Sequence, residues 1–149
     1  MLDYFKKLFA FDNWATLRSL EFLRTYPDQK ALTAMSHVLL AQKIWLLRLN
    51  GQDSSIVPTY EDHSLESCTV IADEIRNGYV EFLNGIQESD LDRLITYKNT
   101  KGIEFQTPIR DILMHVEFHS VYHRGQVASF VRGDGGEPLN TDYITFTRL

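Results

Sequence analysis

The sequence predicts an all-α fold, a four-helix bundle formed as one domain over residues 1–149, with a small β-hairpin before the last helix. Three observations predict it. Four long stretches carry apolar side chains at the three-four spacing of a buried helix face. Breaks rich in proline, glycine and asparagine separate them. Only residues 94–107 exchange that spacing for two short β-prone runs around a polar turn.

The first helix runs from Leu2 to about Tyr26, with Tyr4, Leu8, Phe11, Ala15 and Phe22 on its apolar stripe beside Trp14 and Leu17. Pro27 and Asp28 end it. The second runs from about Gln29 to Asn50, and Asn50-Gly51 is a helix stop. His37 lies inside it, on a face shared with Ala34, Ala41, Ile44, Trp45 and Arg48, which predicts that this face is buried. Gln52 to His63 is polar and without a period. It reads as a loop of about a dozen residues, the length of a lid or of a packed connection.

Ser64 is the expected N-cap of the third helix, without the acidic partner of a capping box. Leu65, Cys68, Ile71, Ala72, Ile75, Tyr79, Phe82, Leu83 and Ile86 carry the pattern to about Glu88. Leu94 to Tyr97 and Ile103 to Thr107 flank Lys98-Asn99-Thr100-Lys101-Gly102 as a hairpin. Thr107 and Pro108 then read as N-cap and first residue of the fourth helix, which runs to about Arg132. Gly133 to Gly136 stops it, and Tyr143 to Phe146 is β-prone. Spacing alone leaves up-down-up-down and up-down-down-up connectivity equally open.

Composition narrows the function classes. Apolar residues make up 44% and charged residues 23%, an ordinary globular balance. A net charge of −5 without a basic tract points away from nucleic acid and anionic membranes as partners. The N-terminal stretch has charges within its apolar pattern and no cleavage site of small residues, and no apolar run is long enough to span a bilayer. These features predict a soluble, cytoplasmic protein. The single cysteine, Cys68, has no basic neighbour in sequence and reads as an inert packing or surface thiol.

The chemistry concentrates in the fourth helix, where His115, His119 and His123 follow one another at four-residue intervals. Residues four apart share a helix face with Cβ atoms about 6 Å apart, close enough for two imidazoles to reach one ion. His115 and His123 are separated by about 12 Å of helical rise, too far for bonds near 2.1 Å. A single ion therefore takes one adjacent pair and a ligand from elsewhere. His37 is the candidate, because a buried unpaired imidazole costs roughly 1–3 kcal/mol and a shared metal would relieve it. Three histidines leave a coordination position open, the pattern of catalytic rather than structural zinc. His115 competes for a place in that pair; its alternative role is that of a packing histidine or one lying behind the ligands. His63 is expected in solvent, Glu117 and Arg124 on the surface, Gln126 beside His123, and Gly125 at a close helix contact.

At these residues the chain resembles the DinB/YfiT-like superfamily of metal-dependent enzymes. The resemblance rests on Phe11-Asp12-Asn13-Trp14-Ala15, on His37 with Trp45 and Arg48, and on the Tyr97 to Phe105 hairpin with Lys101-Gly102. It rests most specifically on His115-x-x-x-His119-x-x-x-His123-Arg124-Gly125-Gln126, and Thr141-Asp142-Tyr143 also fits. The resemblance implies an up-down-down-up bundle, often a homodimer, with zinc or nickel held by His37, His119 and His123. Phe11 stands where a tyrosine is common. Relatives of this kind include transferases and isomerases that use low-molecular-weight thiols such as bacillithiol or mycothiol. The implied function is a metal-dependent enzyme, a thiol S-transferase or a hydrolase, acting on a small-molecule substrate. Its catalytic residues beyond the ligands are unknown. The competing expectation is a binding or stress-response bundle in which the metal only staples two helices.

Overall fold

The computed structural model describes residues 1–149. Its elements are α1 (Leu2–Thr25), α2 (Gln29–Leu49), α3 (Leu65–Gly85), a 3-10 turn (Glu88–Asp92), β1 (Leu94–Lys98), β2 (Glu104–Pro108), α4 (Ile109–Gly133) and a one-turn α5 (Tyr143–Phe146). Local chemistry sets the boundaries. The Asp28 carboxylate accepts from the Ala31 amide at 3.0 Å and starts α2, and Ser64 does the same for α3 from Ser67 at 3.2 Å.

Contacts fix the connectivity that the spacing left open. Leu2 donates to Glu88 while Arg24 faces Glu66, so α1 and α3 run antiparallel. The Tyr79 hydroxyl donates to the Gln42 carbonyl and Lys43 pairs with Glu74, while Ser36 meets Cys68, so α2 and α3 run parallel. Gln42 meets Ser120 and Trp45 meets His115, so α2 and α4 are antiparallel. The bundle is up-down-down-up. Around its circumference the order is α1, α3, α2, α4, which puts α1 and α2 on a diagonal although they are consecutive in sequence.

The core is built from Phe5, Met35, Leu39, Leu83, Ile109, Ile112 and Leu113, each at most 2% exposed. On α1 the buried stripe is Phe5, Phe9, Asp12, Thr16, Ser19 and Leu23. Of the expected stripe, Phe11 and Ala15 are buried, Leu8 and Phe22 are half-buried, and Tyr4 is exposed. Gly78 is a point of close helix approach, since a Cβ there would lie 2.4 Å from Leu46 Cδ2. Gly125, expected in that role, has open space where its Cβ would be.

Three further expectations need correction. The third helix ends at Gly85, and the 3-10 turn begins only at Glu88. Thr107 does not cap α4, because its backbone belongs to the antiparallel ladder opposite Ile95. Pro108 is the N-cap instead. Tyr143–Phe146 is a helical turn rather than a strand. Its rings pack on Phe11, with centroids 5.2 and 5.8 Å away, where no strand edge exists to pair with.

Cys68 is fully buried under Ser36, and burial pushes its thiol up to about 11, with the Ser36 hydrogen bond opposing the rise. The folded protein is therefore expected to resist an aromatic disulfide reagent at about pH 8 and to react with one equivalent in denaturant. Rapid labelling of the native protein would contradict the burial. No helix is long and apolar enough to cross a membrane.

Candidate metal centre

The α2–α4 seam brings His37, His119 and His123 together. One ligand atom from each can be chosen so that all three lie within 4.8 Å of one another. Ring centroids are 4.6 Å apart for His37 and His123, 4.4 Å for His119 and His123, and 5.2 Å for His37 and His119. Antiparallel packing produces this meeting, since adjacent turns of α4 present His119 and His123 to the middle of α2. His115 lies one turn further along. Its ring meets the edge of Trp45 at 5.1 Å and stands outside the three-histidine group.

Outer hydrogen bonds orient two of the three rings. His37 Nδ1 lies 3.0 Å from the Thr59 carbonyl, and a carbonyl only accepts, so Nδ1 carries the proton and Nε2 is free. His123 Nδ1 lies 2.7 Å from Gln126 Oε1, which fixes the same tautomer. Gln126 thus sits beside His123 as its spacing suggested. Burial lowers the His119 imidazole to about 4, with the neighbouring histidines adding to the effect. Burial also lowers His123, against the opposing Gln126 bond. Both are therefore neutral near pH 7, the form that ligates metal. A converging set of neutral imidazole nitrogens with outer N–H groups already bonded fits a borderline divalent ion such as zinc or nickel.

The loop after α2 covers the site as a packed connection. Ser36 Oγ donates to the Glu61 carbonyl at 2.5 Å and lies 2.9 Å from His63 Nδ1, and Thr33 donates to Asp62 at 2.8 Å. His63, expected in solvent, is half-buried by this contact. Tyr60 stacks flat on His37, centroids 4.4 Å apart and planes 7° apart. Trp45, two turns along from His37, also faces α4, where it meets His115. The Arg48 guanidinium lies over its ring at 4.5 Å, and the Tyr97 ring meets it edge-on at 4.9 Å. A pocket of about 340 Å³ opens against His37 and His123, bounded by Lys30, Tyr60, Gln126 and Phe130. No fourth histidine, cysteine or carboxylate joins the cluster.

Behind the histidines lies a buried polar network that includes Arg124 and Glu117, both expected on the surface. Arg124 and Glu117 are 5% and 3% exposed. Arg124 forms an ion pair with Asp12 of α1, and Gln42 of α2 donates to both Asp12, at 2.5 Å, and Ser120 of α4, at 2.9 Å. Burial pushes the Glu117 carboxyl up to about 9, with Asp12 adding to the rise and Arg124 opposing it. The network joins the two sequence motifs, because Asp12 belongs to one and Arg124 to the other. A signal was available. Asp12 falls in register with Phe5, Phe9 and Leu23, and Arg124 with Val116, Ser120 and Val131, so each is a charge on a core stripe.

Comparison with known proteins bears on the family and the fold. The model of the DinB family matches residues 17–149. The curated Protein DinB of Bacillus subtilis (strain 168) is 24% identical over 162 aligned residues, covering 96% of this chain and 93% of that protein. A crystal structure of a DinB-like protein from Bacillus cereus ATCC 10987 superposes with a TM-score of 0.65 at 18% identity, covering 91% and 94% of the two chains.

Proposed function

This chain belongs to the DinB family, and we propose that it is a metal-dependent enzyme holding one divalent ion through His37, His119 and His123. The observation that carries the reading is the set of three converging imidazoles without a fourth protein ligand. Such a set leaves room for an exogenous group, as catalytic zinc sites do. A bound zinc or nickel ion supplies Lewis acidity that favours the anionic form of a thiol or water.

The chain's own residues do the rest. His37 and His123 are held with Nε2 presented, through the Thr59 carbonyl and Gln126. His119 is kept neutral by its surroundings. Tyr60, Phe130 and Lys30 bound the adjacent pocket, which has the size of a small substrate. S-transfer from a low-molecular-weight thiol to a small electrophile is the reaction this arrangement supports best, with hydrolysis as the variant. A homodimer is part of the proposal. Phe118, Val121 and Tyr122 leave an exposed apolar stripe on α4, 66%, 50% and 65% exposed, beside the bare surface of Gly125.

The test is metal analysis of the purified protein followed by a screen of thiol and electrophile pairs. One zinc or nickel ion per chain with thiol-dependent turnover is expected. A protein that takes up neither ion on supplementation would sink the reading. One ion with stabilisation but no turnover would favour the staple instead.

A further inference from the structure

Arg48 belongs to one of the sequence motifs, yet the metal centre does not use it. Two rings and two hydrogen bonds hold its guanidinium in place. It lies over the Trp45 ring at 4.5 Å and over the Tyr97 ring at 4.8 Å. Nε donates to the Ser54 hydroxyl at 3.2 Å, and Nη2 donates to the Lys98 carbonyl at 3.1 Å. Ser54 sits on the loop after α2 and Lys98 on β1. Loop and hairpin are the walls of a cleft of about 830 Å³, which Arg48 also lines. The two bonds therefore hold the guanidinium between those walls.

Every acceptor this cation has is neutral. Arg48 takes part in none of the chain's ion pairs, although it is half-buried and burial pulls its pKa below the usual value. Nη1 makes no hydrogen bond. The side-chain atoms sealed from solvent without a partner are Thr16 Oγ1, Asp28 Oδ2, Glu117 Oε1 and Arg124 Nη2, so Arg48 Nη1 is open to solvent. Both its hydrogens are unspent, on a fork already fixed for an incoming oxyanion. The other charges of the cleft are engaged elsewhere. Asp53 accepts from the Ser55 amide at 2.8 Å, and Lys98 stands opposite Glu104 in the β ladder. One unpaired cation suits a monoanion, whereas a phosphate dianion would also meet the two carboxylates. The walls mix carbon surface with the hydroxyl and amide groups of Gln52, Ser55, Thr96 and Thr100, and only three lining residues are hydrophobic. That mixture matches a sugar ring better than an alkyl chain.

We propose that this cleft binds a sugar acid, a hydroxylated ring bearing one carboxylate, with the carboxylate on Arg48 and the ring hydroxyls on the hydroxyl and amide side chains of the walls. The proposal does not rest on the metal reading, since none of the three histidines lines the cleft.

The probe is glucuronate, titrated into the ¹⁵N-labelled full chain after treatment with a chelator, so that the histidine centre cannot capture the carboxylate through a metal. Glucuronamide is its uncharged counterpart, and cyclohexanecarboxylate keeps ring and charge without the hydroxyls. Glucuronate should shift the Arg48 Nε–H and the Ser54 and Lys98 amides, with a Kd on the order of 1 mM. Both counterparts should bind at least about fivefold more weakly. Arg48→Gln should weaken glucuronate by about tenfold or more. Because that change also releases Ser54 and Lys98, Thr100→Glu serves as the variant that keeps both bonds. Placed on the exposed hairpin turn, it should weaken glucuronate by about threefold and leave glucuronamide unchanged. Glucuronamide or cyclohexanecarboxylate binding as tightly as glucuronate would overturn the proposal. So would an affinity unchanged in both variants, shifts centred on His119 and His123, or inorganic phosphate binding more tightly than glucuronate.

Discussion

Replacing Arg124 by alanine is expected to destabilise the fold by about 3–5 kcal/mol, read as a drop in the denaturant midpoint. The guanidinium is the cation between two buried carboxyl groups, Asp12 and Glu117, and lies 5.4 Å from the Phe11 ring centroid. Its loss leaves the Asp12 charge buried with only Gln42 to solvate it. Glu117→Gln should act in the opposite direction. The folded carboxyl titrates near 9, above its usual value of 4.5. Its contribution is therefore complete below about pH 4.5 and is lost as pH rises through 9. The glutamine variant should match wild type at about pH 4 and exceed it at neutral pH by up to about 3 kcal/mol. A cost under about 1 kcal/mol for Arg124→Ala would show that water reaches the pair. A glutamine variant weaker than wild type at neutral pH would mean that Glu117 is ionised and paired in the fold.

His119→Ala is expected to lower affinity for zinc or nickel by at least about 100-fold, measured by competition with a chromogenic chelator. The metal-free variant should unfold at the wild-type midpoint or slightly above it, because the change removes one half-buried imidazole from a crowded group of three. His115→Ala is the control. Its ring lies outside the cluster, so affinity should stay within about threefold of wild type. Wild-type affinity in His119→Ala, or an equal loss in His115→Ala, would move the site to a different histidine pair.

Much of the bundle was legible because helix signals are local. Asp28, Ser64 and Pro27 set ends that the chain chooses within a few residues, and the apolar spacing survives whatever each helix packs against. The four-residue interval likewise places His119 beside His123 in any helix that contains both. The tail misread shows the limit of local signals. Tyr143 and Phe146 have β-prone side chains, and their conformation follows the Phe11 surface they cover.

The sequence by itself determined four amphipathic helices, a hairpin and a ladder of histidines with 3.6-residue geometry, all consequences of backbone periodicity. Only the tertiary structure decided that α2 runs antiparallel to α4, which carries His37 to His119 and His123 and leaves His115 against Trp45. The register of α4 marks Arg124 as a charge on a core stripe, but only the tertiary structure decided that Arg124 and Glu117 are inside. The reason is that burial of a charge depends on partners from other helices, here Asp12 on α1 and Gln42 on α2, and no spacing within α4 contains them.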